Sequence, residues 1–223
     1  MALNKLKYNS LNVTPVADKA ISFDSDPDAL EATLGGGNMT FIKKLTASSS
    51  ATLSFVDGSS SVVLDNTYKE YLFIFNNIHP ETEPAGTGAR FSFQGSTDSG
   101  SNYNTTISST HFKAQHAESD SPAEVAYQTS HDLAQSTNFQ RLNENLGNDN
   151  DHNLSGYLHL FNPSSTTFVK HFIAVTNETK QNDRTQNCFV AGYFNSTSAI
   201  DAIQFKMESG NIDSGQILLF GLN

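Results

Sequence analysis

The sequence predicts an all-β protein built as an antiparallel β-sandwich with an irregular N-terminal arm. Two observations carry this. The C-terminal third is a series of short apolar runs, Tyr157–Phe161, Phe168–Val175, Phe189–Phe194, Ile200–Met207 and Ile217–Leu222, separated by turn residues such as Asn162-Pro163-Ser164-Ser165. Strand-length runs rich in aromatic and β-branched residues, bounded by Asn, Pro, Ser and Gly, read as strands. The composition agrees: hydrophobic residues make up 37% and charged residues only 16%, with Ser, Thr, Asn and Gly filling the difference. Such a chain suits many turns, and its 16 Phe and 7 Tyr argue against disorder.

Along the chain, residues 1–37 form the arm and residues 38–223 the sandwich domain. The arm lacks a sustained period. Asp26-Pro27-Asp28-Ala29-Leu30-Glu31 predicts a short helix, with Asp26 capping and Pro27 at the first helical position. Gly35-Gly36-Gly37 ends regular structure.

The domain starts with a strand over Phe41–Leu45. Thr52–Val56 alternates, so Leu53 and Phe55 share a buried face. Asp57-Gly58 predicts a hairpin to a strand at Ser61–Leu64. Tyr71–Phe75 is apolar at every position and predicts a central strand covered on both sides. His79 to Gly88 is a loop, and Arg90–Gln94 alternates again. Residues 95–155 carry weaker signals. Short strands are expected at His111–Lys113 and Val125–Tyr127, a strand or short helix at Phe139–Leu142, and a loop over Gly147–Asn153. The total is eight to ten strands in two packed sheets, with a jelly roll as the expected connectivity. Phe73, Phe75, Leu158, Leu160, Ile203, Phe205 and Leu219 are the expected core.

Charge and cysteine content narrow the function. A net charge of −10 disfavours nucleic acid as a partner. The single cysteine, Cys188, excludes an intrachain disulfide and paired-cysteine zinc sites; it reads as a small buried hydrophobe. No apolar run reaches the ~20 residues that would span a bilayer. The N-terminus, Met1 to Tyr8, has basic residues without a following apolar stretch, so Sec export is not expected.

No motif predicts catalysis. None of the seven histidines forms a metal-binding pair. His159 and His171 flank the Asn162-Pro163 turn and are expected as hydrogen-bonded strand residues. Asn148-Asp149-Asn150-Asp151 offers oxygen ligands but lacks the calcium-loop order. Gly35-Gly36-Gly37 has no following Lys-Ser/Thr, and no nucleophile elbow is present. The expectation is no catalytic, cofactor-binding or metal-binding residues and no cofactor.

Several stretches belong together: Tyr71–Phe75 with Ile78-His79-Pro80, Phe91–Asn104, Gly156–Pro163, Phe168–Phe172, Gly192–Asn195 leading to Ile200–Phe205, and Ser209 to Leu222. This pattern resembles a family of tailed-bacteriophage virion proteins, frequent in marine phages such as those of cyanobacteria. The resemblance covers most of residues 39–222. It implies a non-enzymatic structural protein of the virion, a capsid decoration or a tail or fibre component, made in the host cytoplasm. The implied partners are phage particle proteins and copies of the chain itself, with a trimer expected for a fibre or spike. Leu3, Leu6, Tyr8, Leu11, Val13, Val16, Ile21 and Phe23 give the arm apolar residues for such an interface. The alternative is a carbohydrate- or receptor-binding module of a fibre tip, contacting a host glycan. The chain has no Trp for this, but Tyr103, Tyr127 and Tyr157 remain available to stack on sugars.

Overall fold

The structure, a computed structural model, describes residues 38–222 together with the backbone of two short strands before them. The chain divides into two compact units, residues 1–38 and 39–223. In the first, β1 (Ala20–Phe23) pairs antiparallel with β2 (Leu30–Thr33). The expected helix start at Asp26–Ala29 lies outside the described residues, but Leu30 and Glu31 are strand, not helix.

Among the described residues of the second unit, the regular elements are all strands. They are β3 (Met39–Thr46), β4 (Leu53–Val56), β5 (Glu70–Pro80), β6 (Phe91–Ser96), β7 (Ile107–Ala117), β8 (Ala123–Tyr127), β9 (Gln140–Arg141), β10 (Leu154–Phe161), β11 (Lys170–Lys180), β12 (Arg184–Phe194), β13 (Ala202–Met207) and β14 (Ile212–Leu222). An eight-stranded sheet has the order β3-β14-β5-β10-β11-β12-β7-β8, and a four-stranded sheet the order β4-β13-β6-β9. All pairings are antiparallel.

Connectivity follows from these orders. Take β3, β4, β5, β6, β9, β10, β13 and β14 as strands one to eight. The first sheet then begins one-eight-three-six and the second reads two-seven-four-five, the double Greek key of a jelly roll. The other four strands are insertions. The β7–β8 hairpin leaves the chain between β6 and β9, and the β11–β12 hairpin between β10 and β13. Both extend the first sheet beyond β10.

The core lies between the sheets. Tyr71, Phe73 and Phe75 of β5, Leu158 and Leu160 of β10 and Leu219 of β14 face Phe55 of β4, Phe91 and Phe93 of β6, and Ile203 and Phe205 of β13; all are fully buried. Phe205 stands at the centre. Its ring lies 5.3 Å from Phe75, 5.4 Å from Phe73, 5.7 Å from Phe91, 6.2 Å from Phe93 and 6.3 Å from Phe55. Most of these pairs meet edge to face, the arrangement the ring quadrupole favours.

The structure corrects several sequence expectations. Ser61–Leu64 is not a strand. Ser60 and Ser61 have φ of 49° and 68°, which breaks an extended path. Gly58 N donates to Val62 O at 3.0 Å and Leu64 N to Asp57 Oδ1 at 2.8 Å, closing a compact loop whose Val62 and Leu64 still plug the core. The partner of β4 is instead β13, far away in sequence. β5 is central, between β14 and β10, yet only one of its faces is covered: Leu72 and Ile74 are half-buried. β5 also runs to Pro80, so the loop after it begins at Glu81. β6 does not alternate in burial, because residues 137–143 cover its outer side; Gln94 Nε2 donates to Thr137 O and Asn138 O. Twelve strands replace the eight to ten expected for the domain.

Phe205→Ala should cost about 3–5 kcal/mol of folding stability, the usual range for a buried Phe that leaves a cavity. Urea unfolding measures it. A loss below about 1 kcal/mol, the surface range, would mean the ring is not buried.

Candidate functional site

The exposed side of the eight-stranded sheet is the most unusual surface of the molecule. Strand residues alternate, so the residues between the core positions of β5, β10, β11, β12, β7 and β8 point outward. Their registers align them in rows. Ile74, Tyr157, Val175, Phe189, Phe112 and Tyr127 lie opposite one another on six neighbouring strands. The next row reads Leu72, His159, Ile173, Ala191, Thr110. Phe112 and Phe189 stack at 4.9 Å with 9° between planes, yet both are exposed, as are Tyr157, Tyr127, Ile173 and Val125. Two shallow hollows of about 510 and 550 Å³ lie on this side, around Ile74 and Tyr157 and around Ile173 and Tyr193.

This face carries almost no charge. Among the outward residues of these six strands there is no Lys, Arg or Asp. The only carboxylate is Glu70, whose Oε2 lies 2.9 Å from His159 Nε2. His159 and His171 share the face, as expected of flanking strands, but they are not bonded to each other: His159 meets Glu70 and the Phe161 ring, and His171 lies against Tyr193. Glu70 comes from β5, a strand the sequence did not place beside them.

A second feature lies on the opposite side of the sandwich. Lys206, Ser92 and Arg141 form one row on the outer face of the four-stranded sheet. The loop between β8 and β9 rises beside that row. Together with Tyr103 they enclose a cleft of about 560 Å³, lined by Tyr103, His131, Asp132, Phe139, Lys206 and Glu208 among others. Arg141 grips Glu208 through two hydrogen bonds, Nε to Oε1 at 2.5 Å and Nη2 to Oε2 at 3.0 Å. Arg90 adds a third contact to Glu208 at 3.6 Å. Lys206 Nζ sits 4.3 Å from the centre of the Phe139 ring, and Asp132 accepts from Tyr127 OH at 2.7 Å. Of these residues the sequence singled out only Tyr103 and Tyr127.

Between the extended sheet and residues 128–147 lies a buried polar layer. Glu178 accepts from Asn143 Nδ2, Gln186 Nε2 and the backbone N–H groups of Glu144 and Asn145. Burial still pushes its carboxyl up, against those donors. Lys113 and Lys180 both reach Glu144, at 2.8 and 3.3 Å. Burial works against the Glu144 carboxylate, but the two ammonium groups outweigh it and hold the carboxyl below its ordinary value. Cys188 lies within β12, fully buried, with burial raising its thiol well above the usual range. His111 and His131 pack edge to face at 5.2 Å in the same layer. Among the described residues no three His, Cys, Asp or Glu side chains converge as metal ligands, and no helix is long and apolar enough to cross a membrane.

No family model, no curated protein and no solved structure matches the chain.

The histidine pair makes stability depend on pH. Burial pushes His111 down to about 4 and His131 to about 3. The unfolded chain takes up these protons near pH 6.5, and the folded chain does so only near pH 4 and below. Their neutral burial therefore adds no pH-dependent cost above pH 6.5 and progressively destabilises the fold as pH falls from 6.5 toward 3. Melting temperature should drop over that window, and His111→Leu should flatten the drop. An unchanged acid limb in that variant would assign the effect to other groups.

Proposed function

We propose that this chain is a non-enzymatic structural protein of a tailed-phage particle, a head decoration or a tail or fibre component, which assembles with copies of itself through the uncharged face of its eight-stranded sheet. The resemblance noted in the sequence points to the virion, and one structural observation supports assembly. A chain of net charge −10 keeps six neighbouring strands nearly free of charge on their exposed side. Interface centres are depleted in charge and enriched in aromatics, and a large exposed apolar patch marks an interaction surface.

Another copy of the chain is the occupant that the charge distribution favours. Two acidic molecules repel wherever carboxylates meet. At this face they can meet without placing carboxylates opposite each other, apart from Glu70, which lies against His159. The face also offers no electrostatic address for a differently charged partner. Six strands about 4.8 Å apart, with three to five outward positions along each, project on the order of 600 Å². That approaches the ~800 Å² per partner of a standard interface once side-chain relief is added. Closed rotational symmetry lets every copy bury the same patch, and a two-fold or three-fold ring satisfies it. A disulfide-free jelly roll also suits a virion part that must stay rigid outside the cell, although fold alone does not assign function.

Light scattering on the purified chain should give two or three times 24.3 kDa. Phe189→Lys should shift it to a monomer that keeps its β circular-dichroism spectrum, because this exposed residue would place a bare ammonium in the centre of the interface. A wild-type monomer at micromolar concentration, or an oligomer indifferent to Phe189→Lys, would overturn the assembly reading. Mass spectrometry of purified particles tests the virion reading separately; absence of the chain from them would refute it.

A further inference from the structure

We infer that the cleft on the four-stranded sheet is a binding site for a glycan that carries a carboxylate, such as a uronic or sialic acid. The inference adds to the assembly reading and does not rest on it. The cleft lies on the opposite side of the sandwich, so an assembled particle could use both surfaces at once.

Four observations carry it. The first is shape. At about 560 Å³ the cleft falls within the range of small-ligand pockets, roughly 300–1,000 Å³. The second is its pairing of rings with polar groups. Tyr103 and Phe139 line it beside Asn138 and Thr137. A pyranose has an apolar C–H face and a rim of hydroxyls, so it needs a flat apolar platform flanked by hydrogen-bonding groups. Amphipathic aromatic side chains supply such platforms.

The third is unspent hydrogen-bonding capacity. The Tyr103 hydroxyl, on a half-buried side chain at the cleft, makes no hydrogen bond among the described residues. His131 is buried on the wall, with Nδ1 at 2.9 Å from Ser130 Oγ and Nε2 without a partner. Unpaired polar groups in a site make it selective for a ligand that pairs them.

The fourth is the charge balance. Arg141 and Lys206 line the cleft with Glu208 and Asp132, and Arg90 reaches Glu208 from outside it, so the two acids do not outweigh the cations. Glu208 is already held by both arginines. Lys206 has no carboxylate or carbonyl partner among the described residues and rests only on the Phe139 ring. A free ammonium beside an aromatic platform, in a molecule acidic elsewhere, selects a sugar carboxylate over a neutral sugar. Asp132 restricts where that carboxylate can sit and favours the Lys206 end.

Isothermal titration calorimetry tests the site. The probes are trigalacturonic acid, a glucuronic-acid trisaccharide and sialyllactose, with maltotriose as the neutral comparison. At least one acidic probe should bind with a Kd on the order of 1 mM or tighter, and maltotriose at least about tenfold more weakly. Lys206→Gln, a partly exposed change, should abolish that preference while leaving the melting temperature unchanged. Tyr103→Ala should weaken every probe, and Phe189→Lys on the far face should weaken none. The inference is overturned if no acidic probe binds up to about 10 mM, if maltotriose binds as well as the acids, or if Lys206→Gln leaves the preference intact.

Discussion

The aromatic cluster around Phe205 is the contact on which the two-sheet arrangement depends. Phe205 belongs to β13, the strand paired with both β4 and β6, so its ring is fixed by the four-stranded sheet. Its neighbours Phe73 and Phe75 belong to β5, near the middle of the other sheet. The strands that meet here are separated by most of the chain, which makes the fold one of long-range contacts. Such contacts require loop closure before they stabilise anything. A cluster of large rings is a strong reason for those loops to close in this order, because each Phe brings a large apolar area and pairs edge to face with its neighbours.

Beyond that cluster the aromatic contact continues only at one end of β11 and β12, where Phe172 and Phe194 pack on Phe93 of β6. Further along β11, β12 and β7 the inner side is covered by residues 128–147, and there the packing is polar. Gln115, Lys113, Glu178, Lys180 and Gln186 take the buried positions. A buried carboxylate such as Glu178 is tolerated only because side-chain amides and backbone N–H groups converge on it. Such a network fixes register, since a slip would leave a charge without its donors. The loop it anchors is also the one that walls the cleft, through His131, Asp132 and Phe139. Glu178 thus positions the cleft without touching it.

What the sequence revealed follows from the same division. The jelly-roll strands with apolar inner faces, β5, β10 and β13, are legible because β5 is an unbroken apolar run and Leu158 and Phe205 sit in apolar, strand-length runs bounded by turn residues. β7 reads as only three residues of strand, because its inward positions include His111, Lys113 and Gln115, and polar residues on the inner face erase the alternation. β9 is only two residues long, too short for any period. The cleft could not be read at all. Tyr103, Phe139, Arg141 and Lys206 come together only through pairing of β6, β9 and β13, and no spacing in the chain encodes that.

The misreading of Tyr71–Phe75 is the more informative failure. Continuous apolar residues argue for a strand covered on both sides, and the structure covers only one. The rule and the fold disagree at Leu72 and Ile74, the positions that begin the uncharged rows running through Tyr157 and Phe189 to Phe112. A strand patterned for two cores, in a domain that supplies one, is a strand whose second cover the proposed assembly would supply. Departures from local consistency tend to fall at functional surfaces. The sequence of β5 is then consistent after all, provided the unit that buries it is an assembly rather than a single chain.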